Sequence, residues 1–341
     1  MRIVSADADA RLERWLAENA GLDEPHLGAV LAGGNSNVTR LVTARQGRFI
    51  LRHPPADTVS ENAAAGISRE FAAISALAGH APVPRPVVFC DDAGVIGQPF
   101  SLTQFVDGVT ITETLPPAYG EGAVGELGLS LMATLGAIHR VDPAPLAAQS
   151  FGRPVGFAER QVRRWLKVRG EQPVRDLPLL GEIGGWLLET LPPNSAPAII
   201  NCDFHLDNCL SDRTRPQIRA VIDWEMATLG DPLIDLGLCL FFWKRDPAAA
   251  IGFPFVQAVS NQADAPERGE LADAWSVASG RDHVELPWFI VFSAWRLAAI
   301  VEGAYQLYVD GKVESDYARG LEFDVPNLLR EAAGLIDEAG R

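Results

Sequence analysis

Three polar residues at fixed spacing constrain this sequence more than any other feature. Asp203 is followed five residues later by Asn208, and a second acid, Asp223, lies about fifteen residues beyond that. Between them, the run 217–222 is rich in β-branched residues and predicts a strand that ends at Asp223. An Asp followed by an Asn would carry little information alone, but the second Asp at a strand end makes the set specific.

Such a set of side chains is suited to phosphoryl transfer. That reaction needs a carboxylate to orient the attacking hydroxyl and accept its proton, together with oxygen ligands for Mg²⁺. Asp203 is the candidate catalytic base, and Asn208 and Asp223 are the candidate Mg²⁺ ligands. Protein kinases carry an Asp, an Asn and a metal-binding Asp in the same order. Taken singly, Asp203 could be a surface carboxylate and Asp223 a strand-end residue, but their order favours the functional interpretation.

Several shorter motifs accompany this segment in a recognisable order. They are Gly33-Gly34-Asn35-Ser36-Asn37, Leu51-Arg52-His53-Pro54-Pro55, Arg69-Glu70-Phe71, Val83-Pro84-Arg85-Pro86, Ile222-Asp223-Trp224-Glu225 and Gly230-Asp231-Pro232-Leu233-Ile234-Asp235-Leu236. With these motifs, the stretch from about residue 31 to residue 240 resembles the aminoglycoside phosphotransferase family of small-molecule kinases. Within that family it is most similar to the subgroup related to the kinase-like domain fused to some acyl-CoA dehydrogenases.

The resemblance implies two phosphate-binding elements near the N-terminus. Gly34, Ser36 and Asn37 belong to a glycine turn whose backbone N–H groups and serine hydroxyl would face the nucleotide phosphates. Arg52 ends an apolar strand, at the point where kinases place a phosphate-binding Lys. Glu70, in the helix that follows, is the partner expected to hold Arg52 in place, and the alternative for it is an exposed helix acid.

The sequence leaves two points open, which are the identity of the nucleotide and the register of the strand that ends at Arg52. The resemblance places Gln104 and Val106 at a hinge, where backbone groups would hold the adenine of ATP, with GTP left open as the co-substrate. Because His53 follows Arg52 directly, the register of the strand is open by one residue.

The distribution of predicted elements indicates an α+β fold. Strands and two helices, over 7–19 and 61–77, occupy the first hundred residues, whereas long helices dominate the rest. Together with the resemblance, this order implies a protein-kinase-like, two-lobed fold, with a small β-rich, nucleotide-binding N-lobe over 1–106. The larger helical C-lobe over 107–341 would carry the catalytic loop, the metal ligands and the acceptor site.

One position departs from the family pattern and keeps a second function open. The family has His-Gly immediately before the catalytic Asp, whereas this chain has Asn201-Cys202. Asn can make some of the hydrogen bonds of His, but Cys adds a side chain where Gly allows an unusual backbone angle. The alternative function is therefore a nucleotide-binding pseudokinase that acts as a sensor or interaction module.

Composition narrows the class of partner. The chain has 341 residues and a net charge of −15, which argues against nucleic acid and anionic membrane surfaces as partners. Its four cysteines are few and irregularly placed, which is typical of a cytoplasmic protein rather than a secreted disulfide scaffold. The apolar stretches 236–243 and 288–295 are too short to span a bilayer. A monomer or a homodimer is expected.

The sequence thus predicts an ATP- and Mg²⁺-dependent kinase that phosphorylates a hydroxyl of a small molecule. The resemblance favours a hydroxylated acyl or carboxylic acceptor over an aminoglycoside, and homoserine-like or choline-like alcohols also remain open. Trp288, Trp295 and Glu302 recur at seven-residue spacing on one predicted helix. They are interpreted as a packing face, with a substrate wall as the alternative.

Overall fold

The computed structural model describes residues 6–31, 37–55, 61–149, 151–171, 173–245, 253 and 255–339. Nine strands are present in these ranges: β1 His26–Leu31, β2 Val38–Ala44, β3 Gly47–His53, β4 Pro86–Cys90, β5 Phe100–Gln104, β6 Ala198–Ile200, β7 Cys209–Ser211, β8 Ile218–Val221 and β9 Thr228–Gly230.

Eleven α-helices accompany them: α1 Ala6–Asn19, α2 Glu61–Leu77, α3 Ala93–Ile96, α4 Ala123–Arg140, α5 Ala144–Ala147, α6 Phe157–Glu171, α7 Pro178–Glu189, α8 Leu233–Phe242, α9 Arg268–Ser279, α10 Leu286–Val309 and α11 Asp316–Ala339. The sequence predicts the helices α1, α2, α4, α6, α7, α8, α10 and α11 within a few residues of these ends. It does not predict the strands β1, β6, β7 and β9 or the helices α3, α5 and α9.

The N-lobe is built on one antiparallel sheet. Its strand order is β1-β2-β3-β5-β4, and the tight hairpin between β2 and β3 pairs Ala44 with Gly47. Leu51 and Leu102 lie opposite each other on β3 and β5 and are fully buried. Helix α1 covers this face with Leu12 and Leu16, so the N-lobe has a small core of its own.

Helix α2 is shared between the two lobes. Glu70 on this helix reaches the Arg52 side chain of β3, within the N-lobe. Ala73, Ile74 and Leu77, one turn later, belong instead to the large hydrophobic core of the C-lobe. Since α2 contacts both lobes, its position sets how the two lobes lie against each other.

The C-lobe is helical, and α10 runs through its core. By length and composition α10 is the single helix in the described part of the chain that could span a membrane, because it extends the apolar stretch 288–295 to 24 residues. However, 72% of its apolar window is buried within the fold, as in the core helices of globular proteins. Trp295 is fully buried there and donates its indole N–H to the carbonyl of Leu180 on α7.

Candidate active site

The candidate catalytic base lies in a compact loop after β6. Asn208 ends a single 3₁₀ turn, and its Nδ2 donates to both the backbone carbonyl and the Oδ2 of Asp203, each at 2.9 Å. One amide therefore holds the backbone and the carboxylate of Asp203 together. Because Nδ2 is used in this way, Oδ1 of Asn208 is the end of the amide that can accept a cation.

A β-hairpin places the second candidate metal ligand beside the first. Strands β7 and β8 pair Cys209 with Val221, and the N–H of Ile222 donates to the carbonyl of Asn208 at 2.9 Å. Asp223 is the next residue, and its φ of 62° is in the left-handed region. This backbone angle turns the chain at the end of β8. Asp223 therefore follows directly after the residue that is hydrogen-bonded to Asn208.

These residues fit a bound Mg²⁺. Within the described part of the chain, Oδ1 of Asp223 is buried and has no hydrogen-bond partner, which is costly unless a cation binds it. Mg²⁺ is held by one or two carboxylates and completed by water and phosphate oxygens. The described residues contain no cluster of three acidic, His or Cys ligands, and such a site needs none.

The predicted Arg–Glu pair is formed. Nη1 of Arg52 lies 2.5 Å from Oε1 of Glu70, and its Nη2 lies 3.7 Å from Oδ1 of Asp223. His53 points to the opposite face of β3 and contacts the Nε2 of Gln98 at 2.7 Å. Successive side chains on a strand alternate between faces, so the register is settled and Arg52 is the residue that faces the site.

Burial makes the Arg52–Glu70 pair sensitive to pH. Desolvation raises the pKa of Glu70 to about 7, although the charge of Arg52 opposes that shift. Burial would lower the pKa of Arg52, but the charges of Glu70 and Asp223 outweigh it and raise that pKa. The arginine thus stays charged while its partner titrates close to neutrality.

The departure at Asn201 is accommodated by hydrogen bonds. Oδ1 of Asn201 accepts the backbone N–H of Asp203 at 3.0 Å, and its Nδ2 donates to the backbone carbonyl of Asp223 at 2.9 Å. This fully buried side chain therefore joins two loops. They are the candidate catalytic loop, residues 201–208, and the candidate metal loop, residues 222–225. The next residue, Cys202, has a φ of 68°, the left-handed angle expected where the family carries glycine.

Asp235 binds the backbone of the same loop. This fully buried carboxylate on α8 accepts the N–H groups of Asn201 and Cys202, both at 2.7 Å. Its neighbour Asp231 instead accepts the N–H of Leu233 at 2.9 Å and caps the start of α8. Asp235 therefore acts directly on the backbone next to Asp203.

Two aromatic side chains extend this network into the core. The Nε1–H of Trp275 on α9 donates to Nδ1 of His139 on α4 at 3.1 Å. The other ring nitrogen of His139 lies 3.4 Å from Oδ2 of Asp235. Since Nδ1 accepts a hydrogen bond, the proton of a neutral His139 is on Nε2 and faces Asp235. Helices α4, α8 and α9 are thereby joined behind the catalytic loop.

His205 lies between two carboxylates. Its Nε2 is 3.7 Å from Asp203 and its Nδ1 is 3.6 Å from Asp207, which are ion-pair distances rather than hydrogen bonds. Burial alone would lower the pKa of His205, but the two acids raise it to about 9. Burial also tends to raise the pKa of Asp203, and His205 and Asn208 reverse this so that the pKa is lowered. The candidate base is therefore ionised at neutral pH.

The remaining predicted residues are placed in part. Asn37 is buried, and its Nδ2 donates to Oε2 of Glu225, two residues after Asp223, at 2.8 Å. Gly34 and Ser36 lie outside the described residues. Gln104 ends β5, and Val106 follows where the chain passes to the C-lobe. A role for Gln104 and Val106 in binding adenine stays a prediction.

The aromatic and acidic stripe on α10 is a packing face. Trp288 and Trp295 are buried in the C-lobe core. Glu302 is 2% exposed and forms a two-pronged pair with Arg175, with contacts of 3.1 and 2.6 Å. The packing interpretation is confirmed, and none of these side chains forms a substrate wall.

Sequence reasoning assigned no role to Arg296, His139 or Trp275. Nη1 of Arg296 on α10 donates to the carbonyl of Cys202 at 3.2 Å. The three residues lie between about sixty and one hundred positions from the catalytic loop, and each has the appearance of an ordinary polar or aromatic helix residue. Glu225 was part of a quoted motif and could have been noticed through its spacing from Asp223.

Comparisons with known proteins identify the family and the fold of this chain. A family model described as the phosphotransferase enzyme family matches residues 28–275. Acyl-CoA dehydrogenase family member 11 of Gallus gallus is 30% identical over 317 residues, which cover 89% of this chain and 40% of that protein. The chain thus spans about two fifths of that relative's length, in agreement with the subgroup that the sequence motifs indicate.

Solved structures share the fold. A chain from Ralstonia eutropha JMP134, classed among the aminoglycoside phosphotransferases, has a TM-score of 0.77 and 24% identity, with 95% of this chain and 98% of that chain covered. An aminoglycoside phosphotransferase in ternary complex with ADP and hygromycin B has a TM-score of 0.60 and 17% identity, covering 95% and 98% of the two chains. With its two-lobed kinase-like fold and the matched family model, the chain belongs to the phosphotransferase enzyme family.

Proposed function

We propose that this protein is an ATP- and Mg²⁺-dependent kinase that transfers the γ-phosphoryl group to a hydroxyl of a small molecule. The observation that carries the proposal is the convergence of Asp203, Asn208, Asp223 and the Arg52–Glu70 pair in one site. A protein that only binds nucleotide has no need of an ionised carboxylate at the position of Asp203.

Each side chain of the site has a separate role in the proposed reaction. Asp203 orients the acceptor hydroxyl and takes its proton as the oxygen–phosphorus bond forms. The bond between the γ-phosphorus and the bridging oxygen breaks, and its electron pair leaves with the nucleoside diphosphate. Arg52 binds phosphate oxygens while Glu70 keeps its guanidinium in place. Asn208 and Asp223 would hold Mg²⁺, whose charge offsets that of the phosphates.

The acceptor side is proposed from the relatives and from the surroundings of Asp203. The relationship to a protein named for acyl-CoA dehydrogenation places hydroxylated acyl or carboxylic compounds first, and aminoglycosides second. Phe253 and Tyr317 pack edge to face with ring centroids 6.1 Å apart. Burial raises the pKa of Tyr317, and the charges of Asp324 and Asp203 add to this shift. Aromatic rings of this kind suit an acceptor with an apolar part.

The first experiment tests nucleotide binding and turnover in the same preparation. Thermal unfolding is followed with MgATP, MgGTP and each nucleotide without Mg²⁺, and a nucleotide at 100 times its Kd is expected to stabilise the fold by about 2.7 kcal/mol. Phosphate transfer is then measured over hydroxyacyl compounds, hydroxycarboxylates, amino alcohols and aminoglycosides. Asp203→Asn should lower turnover by about 100-fold or more while nucleotide binding is retained.

A matched variant and three outcomes complete the design. Asp142→Asn removes another loop carboxylate, which accepts the N–H of Ala144, and should leave turnover unchanged. Nucleotide binding without transfer to any acceptor would favour the sensor function. Equal turnover in wild type and Asp203→Asn, or no binding of either nucleotide, would overturn the proposal.

A further inference from the structure

The peptide unit between Cys202 and Asp203 is fixed at both of its polar ends. Its N–H, which belongs to Asp203, donates to Oδ1 of Asn201 at 3.0 Å. Its carbonyl, which belongs to Cys202, accepts from Nη1 of Arg296 at 3.2 Å. The plane of this peptide sets the direction in which the Asp203 side chain leaves the backbone. Arg296 therefore contacts the group immediately before the candidate base.

The backbone at this point needs such support. Cys202 has a φ of 68°, in a region that side-chain-bearing residues rarely occupy. A conformation of this kind persists when surrounding contacts over-determine it. Asp235 holds the N–H of Cys202 at 2.7 Å, and Arg296 holds its carbonyl. Without Arg296, the carbonyl of Cys202 would lose this donor, and the peptide that follows Cys202 would be held only through the N–H of Asp203.

The environment of Arg296 differs from that of two other arginines in the C-lobe. The buried Arg245 is 5% exposed and pairs with Glu331, and the partly buried Arg175 pairs with Glu302. Arg296 is 7% exposed, yet within the described ranges it forms no salt bridge, and its Nε has no hydrogen-bond partner. A buried guanidinium without a paired carboxylate is costly for stability alone. Its bond to the catalytic loop offers a functional reason for the charge.

We propose that Arg296 is a positioning residue for phosphoryl transfer, which fixes the Cys202–Asp203 peptide so that the carboxylate of Asp203 points at the acceptor hydroxyl. The inference rests on the proposed function for its catalytic consequence. The restraint that Arg296 places on the peptide can be measured without any acceptor. The contribution comes from α10, far along the chain from the catalytic motif.

Hydrogen exchange tests the restraint directly. Arg296→Met keeps the length and apolar character of the side chain and removes the donor, while Arg296→Lys keeps a charge and a donor. The matched control is Arg175→Met, which breaks a partly buried contact to Glu302 on the same helix, away from the loop. In Arg296→Met the amides of Cys202 and Asp203 should exchange at least about tenfold faster than in wild type. Arg296→Lys should be intermediate, and Arg175→Met should leave these two amides unchanged.

Kinetics test the consequence for turnover. If an acceptor is turned over, Arg296→Met should lower kcat by about 100-fold with little change in KM for ATP or acceptor, because a misplaced base affects the reacting geometry rather than binding. Arg296→Lys should recover part of that loss, whereas Arg175→Met should retain the wild-type kcat in its folded fraction. A purely structural role would give the same kinetic result for Arg296→Met and Arg175→Met.

The outcomes separate this inference from the proposed function. Unchanged exchange at Cys202 and Asp203, or faster exchange with an unchanged kcat, would overturn the positioning role. If Arg296→Met fails to fold, the comparison of Arg296→Lys with Arg175→Met decides by the same two amides. If wild type transfers phosphate to no acceptor, the proposed function fails in that assay, and the exchange data still decide whether Arg296 holds the peptide.

Discussion

Around Asp203 the backbone is held by buried side chains from α8 and α10, whereas on the proposed nucleotide side the guanidinium of Arg52 is hydrogen-bonded to one carboxylate, that of Glu70, with Asp223 3.7 Å away. The difference follows from the task of each region. A base must meet one hydroxyl in one orientation, so its loop gains from several restraints on the backbone. A phosphate-binding arginine works through a long side chain, and one partner is sufficient to orient it. The catalytic side should therefore be costly to perturb, and the nucleotide side adjustable.

The largest expected effect is at Asp235. Asp235→Ala would leave the N–H groups of Asn201 and Cys202 buried without acceptors, so we expect a loss of about 3–5 kcal/mol in the free energy of unfolding and near-complete loss of turnover. Asp231→Ala, on the same helix, should cost only about 1 kcal/mol as a lost helix cap. Urea unfolding of both variants makes the comparison, and equal losses would contradict the special role of Asp235.

Asn201→Ala should come next. It leaves the N–H of Asp203 and the carbonyl of Asp223 without partners, which should lower the free energy of unfolding by about 2 kcal/mol or more. We also expect kcat to fall more than KM rises, because the catalytic and metal loops lose their link. Asn194→Ala is the control, since Oδ1 of Asn194 accepts the N–H of Gly156 on the exposed surface. Similar effects for the two variants would show that the bridge is unimportant.

On the nucleotide side, Glu70→Gln should be milder. The amide keeps the shape and one acceptor but loses the charge, so the KM for ATP should rise about tenfold through weaker orientation of Arg52. The free energy of unfolding should change little, or increase, because a buried carboxylate is replaced by a neutral group. Initial-rate kinetics over a range of ATP concentrations check this. A larger loss of stability than in Asn201→Ala would reverse the comparison of the two regions.

The same residue predicts a pH dependence. Because burial raises the pKa of Glu70 to about 7, its carboxylate is protonated as the pH falls below 7, and ATP binding should weaken on that acidic side. The same titration affects the free energy of unfolding in the opposite direction to ATP binding. The folded pKa lies above the usual 4.5, so this contribution to stability is fully present below pH 4.5 and is lost as pH rises through 7. The pH profile of kcat/KM for ATP should lose its acidic limb near pH 7 in Glu70→Gln.

The smallest effect is expected at Cys202. Cys202→Gly would relieve the left-handed backbone angle but add freedom to the unfolded chain and remove a buried side chain. These terms oppose one another, so the free energy of unfolding should change by less than about 1 kcal/mol. Turnover should stay within a few-fold of wild type, because the peptide keeps its contacts to Asp235 and Arg296. A large gain of turnover would indicate instead that the cysteine disables the loop.

Much of the site could be predicted because its parts are local in sequence. Asn208 is hydrogen-bonded to Asp203, five residues before it. The short hairpin of β7 and β8 then brings the segment that carries Asp223 next to Asn208. Arg52 and Glu70 are also close along the chain, and strand alternation settles which residue of β3 faces the site. The two-lobed fold followed from the change from strands to helices along the sequence.

The supports behind the catalytic loop could not be predicted in the same way. His139, Trp275 and Arg296 reach the loop only after α4, α9 and α10 have packed, and their sequence surroundings are those of ordinary core helices. Hydrophobic periodicity identifies such helices, but it does not say which polar residue on a mostly buried face meets a backbone group. Short strands such as β6 and β9 escape prediction for a related reason, because three residues carry no measurable period.

The course of α10 has a consequence for how the molecule can be divided. A fragment that ended after α9, at Ser279, would retain Asp203, Asn208 and Asp223, yet it would lack the helix that carries Arg296 and fills the centre of the C-lobe. The smallest unit able to support chemistry must therefore extend past residue 309, well beyond the last recognisable motif. The shorter fragment would keep the candidate catalytic residues but lose the helix that packs behind them.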